Sequence, residues 1–198
     1  MNRVLIIGNG PSALEAELGE VIDSDKFDAV IRINRGHKLD DGSDAISKYK
    51  KYVGSKCDFW IASDLRVELA MQRHSEYKGI FIVTPKFKFD RNLANTVTAK
   101  YNNIHFIPPP YEDDINSIVD FSPKWPSTGV VAIHFAINHF KEVYIYGFDT
   151  YDTKYDHLHF FEDKPNKYKN KEGIDHSPKK EKDYLQHLID KNLIKILI

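Results

Sequence analysis

The sequence predicts an α/β domain, a mostly parallel twisted sheet of Rossmann type flanked by helices. Three observations lead there. Short apolar runs alternate with longer amphipathic or apolar segments along most of the chain, as strands and crossover helices do. Val4-Leu-Ile-Ile7 is an apolar strand that runs straight into the turn Gly8-Asn-Gly-Pro-Ser12. Pro126-Ser-Thr-Gly129 precedes an apolar helical run and then the strand-like Glu142-Val-Tyr-Ile-Tyr146, which ends at Gly147-Phe-Asp149. Open parallel sheets bind ligands at the carboxyl ends of their strands, so both glycine turns are candidate nucleotide-facing positions.

The strands expected in order are Val4–Ile7, Ala29–Ile33, Phe59–Ala62, Ile80–Val83, Ile104–Ile107, Val143–Tyr146 and Ile194–Leu197. Each is a short apolar run bounded by turn residues. The helices expected are Ala13–Val21, Asp44–Tyr52, Val67–Glu76, Asn92–Lys100, Thr128–Asn138 and Lys179–Lys191. Val130 to Ile137 is apolar nearly all round, which predicts burial on most sides. Ser127 and Thr128 can cap that helix, whose first amides can face an anion. Pro108-Pro-Pro110 is expected to break regular structure and start a loop. Residues 150–175 have no clean period and are expected to form a long loop, which in a compact domain is functional or mobile.

The chain has 198 residues, 41% hydrophobic and 29% charged, and is expected to be a single soluble domain over 1–198 with a real core. A net charge of −1 argues against a dedicated nucleic-acid binder. Lys164 to Lys182 is rich in lysine, which reads as a solvated loop or as attraction to an anionic acceptor or membrane surface. Cys57 is the one cysteine, which fits a reducing cytosol. No apolar run reaches the ~18 residues of a membrane span, and no leader is visible at the start, so a cytoplasmic location is expected, with peripheral contact at the inner membrane face allowed.

The first turn lacks the third glycine of the dinucleotide fingerprint, so it is weak evidence alone. Asn9 and Ser12 can hydrogen-bond a nucleotide or simply stabilise the turn. Asn34 ends the second strand; its amide can read a base or ribose edge, or serve the strand-end turn. His157 and His159 flank Leu158, and Phe160-Phe-Glu162 follows. With His176 and Asp149, Asp152, Asp156 and Asp175 they raise a metal site as one alternative, but no ligand pair has helical zinc spacing. Acid–base work behind a nucleotide-binding sheet is the favoured reading of the histidines.

Taken together, these segments resemble the sialyltransferase family that carries the large, small, third and very small sialyl motifs. Val4-Leu-Ile-Ile-Gly-Asn9 through Ile22-Asp23, with Phe27-Asp-Ala-Val-Ile-Arg-Ile-Asn34, resembles the large motif, and Tyr52-Val-Gly-Ser-Lys56 the segment after it. Pro126 to Ala132 through Glu142 to Asp149 resembles the small motif. His159-Phe-Phe-Glu162 resembles the third, and His176-Ser-Pro-Lys-Lys-Glu181 the very small one. The glycine turn, the short length and Leu193–Ile198 also resemble bacterial sialyltransferases of lipooligosaccharide synthesis.

The resemblance implies a GT-A-like fold, a CMP-sugar donor, inversion at the anomeric carbon and no metal or other cofactor. It implies His176 as general base and His159 as the phosphate-facing partner of the leaving group. Asn9, Ser12, Asn34, Ser127, Thr128, Gly129 and Gly147 would hold CMP. Glu181 would either orient His176 or stabilise the start of the last helix. The partners implied are CMP-sialic acid, or the related CMP-Kdo, and a glycan acceptor with a galactose end as the candidate. A disulfide of the animal enzymes would align with Val4 and Phe140, where an apolar contact replaces it. Trp125 stands where an aromatic hydroxyl often precedes Pro-Ser-Thr-Gly. These departures fit a short soluble bacterial or viral form. The competing readings are a nucleotide-binding protein without transferase activity and a metal hydrolase.

Overall fold

A computed structural model describes residues 2–36, 47–150, 154–161 and 176–198. Its strands are β1 (Arg3–Ile7), β2 (Ala29–Ile33), β3 (Phe59–Ser63), β4 (Gly79–Val83), β5 (Ile104–Phe106), β6 (Glu142–Tyr146) and β7 (Lys195–Ile196). They form one seven-stranded sheet in the order β5-β4-β3-β2-β1-β6-β7. Every neighbouring pair is parallel. The chain steps outward from β1 to β5, then returns to place β6 on the other side of β1. The strand order therefore reverses between β1 and β6, and their carboxyl ends form the crevice where such sheets take ligands.

The helices are α1 (Gly19–Asp23), α2 (Lys50–Val53), α3 (Val67–Gln72), α4 (Arg91–Lys100), α5 (Pro110–Ile118), α6 (Thr128–His139) and α7 (Pro178–Asp190). Alternation along each strand divides the core between the two faces. Val4 and Ile6 of β1 join Ile31, Ile133, Ala136 and Leu188 on one face. Leu5 and Ile7 join Ile22, Val53 and Phe160 on the other. Trp60, Ile80 and Val97 fill a third cluster toward the β4 side. Phe140 packs against the cluster that contains Val4, so both positions of the expected apolar contact meet one core.

All seven expected strands form, the last shortened to Lys195–Ile196. The helices need more correction. Pro108-Pro-Pro110 does not open a loop: Pro110 is the first residue of α5, with Glu112 and Asp113 in its first turn. A proline costs nothing at that position, because its missing N–H has no helical partner there. The segment Ala13–Val21 is not one helix. It is a short 3-10 turn, Pro11–Leu14, followed by α1. The Tyr146 hydroxyl shares its one proton between the carbonyls of Ala13 (2.8 Å) and Ala16 (3.0 Å), acceptors that a continuous helix would use. Val67–Glu76 likewise divides into α3 and a 3-10 turn over His74–Glu76. Of the helix expected at Asp44–Tyr52, residues 44–46 lie outside the described residues, and the rest is a 3-10 turn running into α2.

Arg32 is a buried cation in the central strand β2. Its Nη2 donates to the Val53 carbonyl at 2.6 Å and its Nε to the Lys56 carbonyl at 3.0 Å. Asp23 accepts from the backbone N–H of Ser55 (2.6 Å) and Lys56 (2.8 Å) and from the Ser55 hydroxyl. Burial alone would raise the Asp23 carboxyl, but those hydrogen bonds and the Arg32 charge outweigh it and hold the group low. Gly54, at φ 63°, supplies the left-handed backbone this turn needs. The Tyr52–Lys56 segment is thus a fastening of α2 to the sheet.

Candidate active site at the strand-order reversal

A cavity of about 290 Å³ opens at the carboxyl ends of β1 and β6. Gly8, Asn9 and Gly10 line one side, Gly147, Phe148 and Asp149 the next, and Ser127, Thr128 and Gly129 the third. Asn34, His159, His176 and Glu181 complete the wall that bears polar groups. Of the catalytic, orienting and donor-binding residues that the resemblance implies, all but Ser12 line this cavity.

The two glycine turns are knitted together by backbone. The Gly8 N–H donates to the Tyr146 carbonyl at 2.7 Å, and the Gly10 N–H to the Gly147 carbonyl at 2.9 Å. A methyl group on Gly8 would run into the Gly147 carbonyl, and Gly147 itself sits at φ 70°. Ser12 lies behind this wall. Its backbone N–H donates to Asp149 Oδ2 at 3.0 Å, so it braces Asp149 and is not among the lining residues. Burial raises the Asp149 carboxyl, and the Ser12 hydrogen bonds oppose that rise.

Asn9 donates from Nδ2 to the Ile33 carbonyl at 3.1 Å. Its Oδ1 is buried against Gly36, with no hydrogen-bond partner among the described residues. Asn34 has φ 46°, and its Oδ1 accepts from the Ser63 N–H at 2.8 Å. Its carbonyl accepts from Trp60 Nε1 at 2.8 Å. The strand-end role of Asn34 is therefore real, and it coexists with a place on the cavity wall.

Ser127 is the N-cap of α6, and its hydroxyl accepts from the Val130 N–H at 3.3 Å. Thr128 and Gly129, the first residues of α6, line the cavity, where the helix end carries partial positive charge. Glu181, in the first turn of α7, accepts from the Ser127 N–H at 3.3 Å and the Ser127 hydroxyl at 3.0 Å. His176 Nδ1 lies 3.3 Å from the Trp125 carbonyl. A carbonyl can only accept, so Nδ1 carries the proton and the imidazole lone pair is on Nε2. His176 and Glu181 thus clamp the start of α7 to the single tripeptide Trp125-Pro126-Ser127.

His159 comes from the segment 154–161, which is tied down at several points. The Phe160 N–H donates to the Asn9 carbonyl at 3.0 Å, and Phe160 packs edge-on to Tyr49. The His159 ring stacks on Phe161 with centroids 5.3 Å apart. His157 is exposed and does not line the cavity. Among the described residues no group of three His, Cys, Asp or Glu is placed to hold a metal ion. Asp152, Glu162, Asp175 and the lysines of 164–175 lie outside the described residues. No helix among the described residues is long and apolar enough to cross a membrane.

Motif reading did not single out Leu158 and Leu185, which add apolar wall to the cavity. Nothing in their local sequence marks them, since both read as ordinary core residues.

An all-parallel sheet with a polar crevice at its strand-order reversal, glycine turns, a helix N-terminus and two histidines is a ligand site of the kind open α/β sheets carry. The family model of glycosyltransferase family 29 (sialyltransferase) matches residues 86–193, and the chain belongs to that family. It is accordingly a glycosyltransferase enzyme of sialyltransferase type. The matched stretch takes in α6, His159, His176 and Glu181. The Gly8 turn and Asn34 lie before it and join the same cavity through the fold. No curated protein matches the chain.

Proposed function

We propose that the protein transfers sialic acid from CMP-sialic acid to a glycan hydroxyl, with inversion and without a metal, on a GT-A-like version of this fold. The observation that carries the reading is the convergence of the α6 N-terminus, His159 and His176 on one cavity. CMP would lie across the reversal point, with Asn9 and Asn34 toward its base and ribose and the Ser127–Gly129 amides toward its phosphate.

As the anomeric bond breaks, negative charge grows on the CMP phosphate. His159, as imidazolium, would hydrogen-bond or protonate that phosphate, and the α6 N-terminus adds partial positive charge. His176 would accept the proton of the acceptor hydroxyl at Nε2 as its oxygen attacks from the opposite face. The Trp125 carbonyl fixes the tautomer this requires. Glu181 orients His176 indirectly, by holding Ser127 while His176 holds Trp125 two residues earlier.

The deciding experiment is incubation with CMP-sialic acid and a galactose-ended acceptor, followed by mass spectrometry, with CMP-Kdo as a parallel donor. The expected product is the sialylated acceptor, formed equally with and without EDTA. Turnover lost in EDTA and restored by zinc or magnesium would defeat the metal-free mechanism. CMP alone should raise thermal stability by ~1 kcal/mol or more at several-fold excess over its dissociation constant. The shift should exceed those from AMP and GMP; equal shifts from all three would count against cytidine recognition.

A further inference from the structure

One carboxylate on the cavity wall has no part in the reaction described so far. Asp149 follows β6, between two residues with left-handed backbone, Gly147 at φ 70° and Thr150 at φ 48°. Glycine adopts that conformation freely, but a β-branched threonine adopts it at a cost. Such strain persists only where the surroundings over-determine it, and it concentrates at ligand sites. The carboxylate also lies against Gly10, where any side chain would run into it. Its Oδ2 accepts from the Ser12 N–H at 3.0 Å. Asp149 is nonetheless partly exposed and lines the cavity beside Asn9, Gly10 and Gly147. A carboxylate offers about four lone-pair positions, and Ser12 uses only part of them, so acceptor capacity is left over.

CMP brings two kinds of polar group besides its base, a phosphate and a ribose diol. A carboxylate repels the first and accepts hydrogen bonds from the second. The N-terminus of α6, which suits the phosphate, forms a different side of the cavity. In other open α/β sheets an acidic side chain at the carboxyl end of a strand takes the ribose hydroxyls of a bound nucleotide. Resting on the nucleotide reading of this cavity, we propose that Asp149 accepts from the ribose hydroxyls of CMP and so selects a ribonucleotide over its deoxy forms. The two glycine turns then divide the work. Gly8–Gly10 brings Asn9 to the nucleotide and leaves room for the carboxylate, and Gly147 turns the chain so that Asp149 meets Gly10.

Calorimetric titration with CMP, 2′-deoxy-CMP and 3′-deoxy-CMP, in the parent protein and in Asp149→Asn, tests this. The Ser12 N–H can only donate, so it holds the amide oxygen of the replacement and leaves the NH₂ group for the ligand. The parent should bind CMP about tenfold more tightly than at least one of the deoxy forms. Asp149→Asn should reduce that preference to under about threefold. All three ligands carry the same phosphate, so any affinity gained by removing a negative charge cancels in the ratio. Asp149→Ser, whose side chain is too short for the contact, should show the same loss of preference. A preference absent from the parent, or equally large in the parent and the variants, overturns the role of Asp149 and leaves the nucleotide reading standing. A parent protein that binds none of the three nucleotides overturns the nucleotide reading and this role with it.

Discussion

Replacing His176 by alanine should lower turnover by about 10²–10⁴-fold and leave CMP affinity near that of the parent protein. The expectation rests on where the ring is held. Its Nδ1 proton is committed to the Trp125 carbonyl, so Nε2 is the atom that can take a proton. A general base works on the acceptor hydroxyl and has no partner on the nucleotide. His159→Ala should behave differently, lowering both turnover and CMP affinity, because its proposed partner is the phosphate. The check is steady-state transfer beside CMP titration by calorimetry for both variants. Near-normal turnover in His176→Ala would remove the base assignment and leave the acceptor proton to another group. His176→Asn, which can still donate from its amide to the Trp125 carbonyl, separates loss of the base from loss of the clamp.

The sheet was legible in the sequence because each strand is a short apolar run ending in turn residues. Burial from both faces leaves little else to confuse the pattern. The helices were less so. α5 was hidden because three prolines read as a break, whereas the last of them is tolerated in a first helical turn. The single helix expected after Ser12 fails for a reason that lies far along the chain, in the Tyr146 hydroxyl. The site divides in the same way. Glycine turns and a helix start are local signals, so the polar walls of the cavity were readable. The partner of Glu181 was not, because Ser127 is 54 positions away and nothing in either neighbourhood names the other. Ser12 looked like a ligand contact because it belongs to the turn, but its amide points back to Asp149.

Glu181→Gln should stabilise the protein by ~3 kcal/mol at pH 8 and by under ~1 kcal/mol at pH 5. Glu181 is 4% exposed, and burial pushes its carboxyl from the ordinary 4.5 up to about 7, against the two Ser127 hydrogen bonds that favour the anion. The sign follows from proton counting. Between pH 4.5 and about 7 the folded protein holds a proton that the unfolded chain has released. Stability from this group is therefore complete below pH 4.5 and is lost as pH rises through about 7. Glutamine keeps the shape and both contacts: its oxygen accepts from the Ser127 N–H, and its amide donates to the Ser127 hydroxyl. Urea unfolding from pH 5 to 8 should show two curves that diverge as pH rises. Alanine at this position should instead cost ~1–3 kcal/mol at pH 5, because Ser127 loses its partner, and that cost should shrink as pH rises and the parent itself loses stability. The same charge bears on function. Ionised Glu181 sits on the cap of α6, beside the amides proposed to hold the CMP phosphate, and repels that anion. CMP affinity should then decline above pH 7 in the parent and stay level in Glu181→Gln. Parallel pH profiles for the two proteins, in stability and in CMP binding, would show that Glu181 titrates as an ordinary carboxylate and serves only to fasten α7 to α6.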